Sequence, residues 1–155
     1  MAAGPALVPW QKDLLDLVRR AVLATIAADG HARLVPIAFI WVTGHSKLPM
    51  LYSALDDKPK SVVDPRDLAR VHDIGQRPRV TVLVDHWSED WYELAWLRLE
   101  GNASVLEPTA NNTTERSVAI AALRAKYPQY ATHWLEEAPL IRIAVDRLTG
   151  WRSNP

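Results

Sequence analysis

Ala21-Val-Leu-Ala-Thr-Ile-Ala-Ala-Asp-Gly-His-Ala-Arg-Leu-Val-Pro-Ile-Ala-Phe-Ile-Trp-Val42 is the stretch whose reading decides the architecture. Its centre, Asp29-Gly30, is a strong hairpin signal, because a tight two-residue turn needs φ > 0 and glycine adopts it without a steric cost. Apolar and β-branched residues flank the turn on both sides, as strands require. The spacing therefore predicts one strand over Ala21–Ala28 and a longer one over His31–Val42. Pro36 interrupts the second strand. Proline cannot donate to a ladder, so an edge position or a bulge is expected there.

Outward from this hairpin the β pattern continues. A polar turn over Thr43–Lys47 leads to a third strand at about Pro49–Ala54. Upstream, Pro9–Arg20 reads as a helix with Leu14, Leu17, Val18 and Ala21 on one face and Lys12, Asp13, Asp16 and Arg19 outside it. Downstream, Leu55–Lys60 is a polar loop. Asp64-Pro65 then offers an N-cap and an N1 proline to a second helix whose apolar stripe is Leu68, Val71 and Ile74. Gly75 is its expected terminator, and Pro78 forbids continuation.

Arg79–Asp85 (RVTVLVD) alternates as a half-buried strand does, and His86–Glu93 is a polar, aromatic loop. Leu94–Leu106 is a long strand in which Gly101 permits a bulge. Asn112-Thr-Thr-Glu115 reads as a capping box opening a helix to about Lys126. Leu140–Asp146 is the last strand, followed by a short tail holding Trp151 and Arg152. The result is a mainly β (β+α) fold, a six-stranded antiparallel barrel with flanking helices, in one domain over residues 1–155.

Composition narrows the function. The chain has no cysteine, which removes disulfides and thiol chemistry and fits a cytoplasmic protein. No basic, apolar leader opens the sequence and no apolar run approaches a membrane span, so neither export nor a membrane partner is expected. Eighteen basic residues balance eighteen acidic ones, so charge gives no general pull toward nucleic acid. The histidines (His31, His45, His72, His86, His133) are scattered and no metal site is expected. Seven tryptophans stand against one phenylalanine, suiting core, interface or ring-stacking roles alike.

Two segments could carry chemistry. In Tyr52-Ser-Ala-Leu-Asp-Asp-Lys-Pro-Lys60, Pro59 biases Lys58 toward extended geometry, and side chains two apart then point to one side. Lys58 and Lys60 beside Ser53 could clamp a phosphate, or Asp56 and Asp57 could simply neutralise them in a solvated loop. The second segment, Asp85-His86-Trp87-Ser88-Glu89-Asp90-Trp91, holds Ser, His and Asp, but a hydrolase triad is defined by geometry, and the sequence has no G-x-S-x-G elbow. A G-x-G-x-x-G fingerprint is absent as well, so phosphate, if bound, is bound by side chains.

The order of parts, with "LVPIAF", "LYSALDDKPK", "RPRVTVLVDH" and "WYELAWLRLEG", resembles the pyridoxamine-phosphate-oxidase-like split barrels, especially the branch thought to use coenzyme F420. The resemblance runs from about Leu14 to Trp151. It implies a split β-barrel homodimer with the cofactor ring in a groove at the dimer interface. It also implies a phosphate held at Ser53, Lys58, Pro59 and Lys60, and a ring bordered by the backbone of Val35 and Pro36. Trp87, Trp91 and Trp151 would line or close the groove, or serve as interface packing.

The implied function is an F420-dependent oxidoreductase passing hydride between deazaflavin and an unsaturated or imine-bearing small molecule. FMN is the alternative cofactor, giving a reductase or oxidase on the same fold. A non-catalytic flavin, deazaflavin or haem binding protein is the alternative outside enzymes. Such chemistry needs no acid–base residue of a fixed kind, so none is assigned as catalytic. By residue type alone, Tyr52, His86 and Tyr92 are candidate proton donors.

Overall fold

The computed structural model describes residues 6–56 and 62–154. Seven strands run through them: β1 (Ala21–Ile26), β2 (Ala32–Ile37), β3 (Ile40–Thr43), β4 (Pro49–Ala54), β5 (Arg79–His86), β6 (Ala95–Leu106) and β7 (Leu140–Arg152). All pair antiparallel in one sheet of order β2-β1-β5-β6-β7-β4-β3. Three α-helices accompany them: α1 (Pro9–Leu17), α2 (Ala69–Gln76) and α3 (Thr113–Lys126).

The two margins of this sheet, β2 and β3, are separated in sequence only by Ala38 and Phe39. Three Cα–Cα steps span at most about 11 Å. The sheet must therefore curl until its outer strands come side by side, although they do not pair. That is a split barrel, closed in shape and open in hydrogen bonding.

Sequence periodicity predicts six strands, with His31–Val42 as one; the structure divides that run in two. The cause is remote. The hydroxyl of Tyr127 accepts from Phe39 N at 3.0 Å and lies 3.1 Å from Phe39 O, taking backbone groups that a continuous ladder would use. Pro36 behaves as expected, on the margin strand opposite Val22. Gly101 does too: the β6–β7 register slips between Glu100 and Gly101, and a Cβ at Gly101 would stand 2.1 Å from Ala144 O.

Other boundaries move. Asp64 accepts from Arg66 N and caps only a 3₁₀ turn over Pro65–Asp67, after which α2 starts at Ala69. Gly75 lies inside α2, which ends at Gln76 just before Pro78. The expected capping box at Asn112–Glu115 does not form: Asn112 Nδ2 donates to Glu107 O, and Glu115 turns to Arg142 and Tyr52. Trp151 is no tail residue but part of β7, opposite Trp96. α1 stops at Leu17, where Val18 becomes extended.

Strand alternation builds two cores. Leu23, Val82, Leu97, Leu99, Leu51 and Ile141 fill the barrel. On the other face of β4, Tyr52 and Ala54 meet Ala119, Ile120 and Leu123 of α3, with Tyr127 and Tyr130 beyond it.

Candidate functional site

Ser53 is the penultimate residue of β4. It is buried, and its hydroxyl donates to Ala38 O at 2.8 Å, tying β4 to the chain between β2 and β3. Ala38 follows Pro36 by two residues in the chain. The bond commits the hydroxyl hydrogen that a phosphate would have used. Val35 is half-buried against the barrel core, while Pro36 is exposed. Lys58, Pro59 and Lys60 lie outside the described residues.

Two residues past the end of β4, Asp56 is buried and accepts from the Tyr130 hydroxyl at 2.6 Å. Burial and the carboxylate beside it push the Tyr130 phenol well above its usual range, so it stays protonated. Arg70 of α2 lies within the electrostatic reach of Asp56, and burial lowers the guanidinium pKa from its ordinary value. Its Nε is buried without a hydrogen-bond partner. A charged donor left unsatisfied is costly and is rare in native structures. Arg70 was not legible as a site residue, because its helix stripe carries no sign of it.

Trp87, Trp91 and Trp151 gather at the opposite end of the barrel, all strongly exposed (64%, 67% and 45%). Trp87 follows β5 directly and Trp91 opens the turn into β6. Trp151 stands opposite Trp96, whereas Ser53 is in register with Ile141. Ten residues of β7 separate the two levels, roughly 30 Å along the strand. One copy of the chain therefore does not bring these tryptophans to Ser53.

The neighbouring Ser88 is no nucleophile in waiting. Its hydroxyl donates to Glu93 at 2.8 Å and accepts from Asp90 N, ordering the loop. His86 and Tyr92 line a cavity of about 580 Å³ between α1 and the ends of β5 and β6. Among the described residues no group of three or more His, Asp or Glu is placed to hold a metal ion.

A larger cavity, about 870 Å³, opens beside α3 over β4, β6 and β7. Here Glu115 accepts from Arg142 Nη1 at 2.6 and 3.0 Å and from the Tyr52 hydroxyl at 2.7 Å. Burial opposes the charge on Glu115, yet Arg142 and Tyr52 outweigh it and hold the carboxyl below its usual range. Burial and the carboxylate together push Tyr52 up. Tyr52 is thus a bound, reluctant proton donor, not a poised one.

An antiparallel sheet curled until its margins come side by side defines a split-barrel protein. The chain belongs to the pyridoxamine 5'-phosphate oxidase family, which it matches over residues 8–152. Among solved structures it is similar to a conserved hypothetical protein of Mycobacterium tuberculosis, at 16% identity and TM-score 0.68, covering 96% of this chain and 87% of that one. It is also similar to an FAD-binding protein of Mesorhizobium loti, at 20% identity and TM-score 0.61, with coverage of 90% and 87%. An F420 reductase aligns at 15% identity and TM-score 0.62, with coverage of 92% and 98%. No curated protein matches the sequence. Among the described residues no helix is long and apolar enough to cross a membrane.

Proposed function

We propose that this chain is a cytoplasmic F420-dependent oxidoreductase acting on an unsaturated or imine-bearing small molecule. The observation that carries the reading is Arg70 Nε on α2, a buried donor without a hydrogen-bond partner, its guanidinium within the electrostatic reach of Asp56 in the segment where the family resemblance expects a phosphate. Family membership and the fold shared with an F420 reductase support it. Lys58 and Lys60 would hold the phosphate with Arg70 as a third cation, and the backbone of Val35 and Pro36 would border the ring. When bound, the deazaflavin supplies the hydride chemistry, and the protein's part is orientation and exclusion of water.

The groove needs two copies. Ser53 and the level of Trp151 are set roughly 30 Å apart along β7 in one copy. A homodimer in which one copy's tryptophans close the other's phosphate end satisfies both assignments. The expected particle in solution is twice the 17.4 kDa chain.

FMN is the second reading, favoured by the family match and by the similarity to an FAD-binding protein. Titration of the apo-protein with F420 and, separately, FMN, following tryptophan emission, decides between them. F420 is expected to saturate the quenching with FMN much weaker. Lys58→Ala with Lys60→Ala, and separately Arg70→Ala, should each weaken binding. A charge-assisted contact is worth roughly 1.5–3 kcal/mol, or about tenfold or more per cation. Preference for FMN moves the chain to the second reading; binding of neither removes the enzyme reading.

A further inference from the structure

The cavity between α1 and the ends of β5, β6 and β7 is built unlike the rest of the surface. Leu14 is buried in its floor and Trp10, Leu94 and Ala95 are half-buried around it. Leu17 and Tyr92 carry the wall outward, exposed at 64% and 76%. The sequence places Leu17 on the core face of its helix; the end of α1 at Leu17 instead leaves it in this wall. A volume of about 580 Å³ with mainly apolar walls is that of a small-molecule pocket.

The charges around it are unbalanced. Asp13, Asp16 and Glu93 line the cavity against the single guanidinium of Arg152. Asp16 accepts from Trp41 Nε1 at 2.7 Å and Glu93 from the Ser88 hydroxyl, so both bonds are to neutral groups. Among the described residues none of these three carboxylates is in an ion pair within 4.0 Å. Arg152 lies over the Trp10 ring, 5.3 Å from its centroid, showing that this aromatic wall accepts a cation.

We propose that this corner binds an organic cation with a bulky aromatic body, such as an aryl-substituted ammonium or phosphonium. The apolar walls take the body and the carboxylates select the charge. The cavity adjoins Trp91 and Trp151, which the proposed dimer gives to the cofactor groove, so its test uses no cofactor and reads charge preference alone.

Tetraphenylphosphonium and tetraphenylborate share a shape and differ in sign. Calorimetric titration of the full chain with each is the direct experiment. The phosphonium is expected to bind saturably, one per chain, at least about tenfold more tightly than the borate at low ionic strength. That preference should shrink in 1 M salt, where the screening length falls to about 3 Å. Asp13→Asn with Glu93→Gln should lower phosphonium affinity about tenfold at an unchanged melting temperature. Leu17→Lys, at an already exposed position, should do the same by adding a like charge.

Equal affinity for the two ions, preference for the borate, or no binding of either overturns the proposal. If neither binds and Leu17→Lys turns a dimer into a monomer, the corner is a contact between copies of this chain and not a ligand site.

Discussion

The two cores of this protein are held by different physics. Inside the barrel, Leu23, Val82, Leu97, Leu99 and Ile141 are aliphatic and fully buried, and they come from strands whose alternation alone aims them inward. The α3 layer is pinned by polar groups. Arg116, 4% exposed, donates from Nη1 to Leu106 O and from Nη2 to Leu135, Glu136 and Ala138 carbonyls, at 2.8 to 3.2 Å. Arg124 reaches Tyr130 O and His133 O, and Tyr127 holds the chain at Phe39. The barrel needs only pattern, whereas the α3 layer covers irregular chain over residues 127–139 and must satisfy its backbone with side chains.

That contrast can be broken from either side. Gly101→Val should have the largest effect, because a Cβ there meets Ala144 O at 2.1 Å on the backbone of the neighbouring strand. Loss of soluble, folded protein is the expected outcome of an expression and circular-dichroism comparison. Next come Leu99→Ala and Arg116→Ala. The first should cost about 2–5 kcal/mol through its cavity. The second leaves up to four carbonyls short of a donor at about 1–3 kcal/mol each before water enters. Chemical denaturation should show a shared midpoint shift. Hydrogen exchange should separate the two, with protection lost first around residues 127–139 in the arginine variant alone.

Tyr127→Phe is smaller. It removes a buried hydroxyl that serves Phe39 N and approaches the carbonyls of Phe39 and Arg19, and about 1–3 kcal/mol is expected. Equal thermal stability of the variant would show that the break between β2 and β3 is set by the curl of the sheet and not by this phenol.

Titration sharpens the comparison further. Asp73, on the barrel side, is buried; burial raises its pKa, but the Thr25 hydroxyl and the Arg33 and Arg77 guanidiniums outweigh it and hold it below its usual range. Its contribution is complete above the unfolded value of about 3.9 and is lost as pH falls through the lower native value. Lys126, against Phe39 and Tyr127 in the α3 layer, is pulled down to about 8 by burial and by nearby Arg19. Between about pH 8 and the unfolded value of about 10.4 the unfolded chain binds the extra proton, so stability from this group rises with pH. Asp73→Asn should flatten the acid limb of a melting-temperature profile and Lys126→Met the alkaline limb, each leaving the other in place.

Alternation in 79–85, the Asp29-Gly30 turn, the edge proline and the bulge glycine were all legible in the sequence, because each is a local demand met by a local residue. The segment over Pro49–Ala54 was legible to the residue for the same reason. The candidate site was legible only in part. Ser53 is tied to Ala38, two residues after Pro36. The unpaired Nε of Arg70 and the capture of Glu115 by Arg142 and Tyr52 depend on neighbours far along the chain.

By itself, then, the sequence determined the class of fold and most of its strands, because periodicity and turn chemistry act over a few residues, and its motifs carried the family resemblance. Only the tertiary structure decided where the second strand breaks, that Leu17 faces a cavity, and that the tryptophans stand a strand's length from Ser53. Those outcomes depend on which distant hydroxyl, carboxylate or carbonyl the curled sheet brings within about 3 Å, a reach that no local pattern encodes.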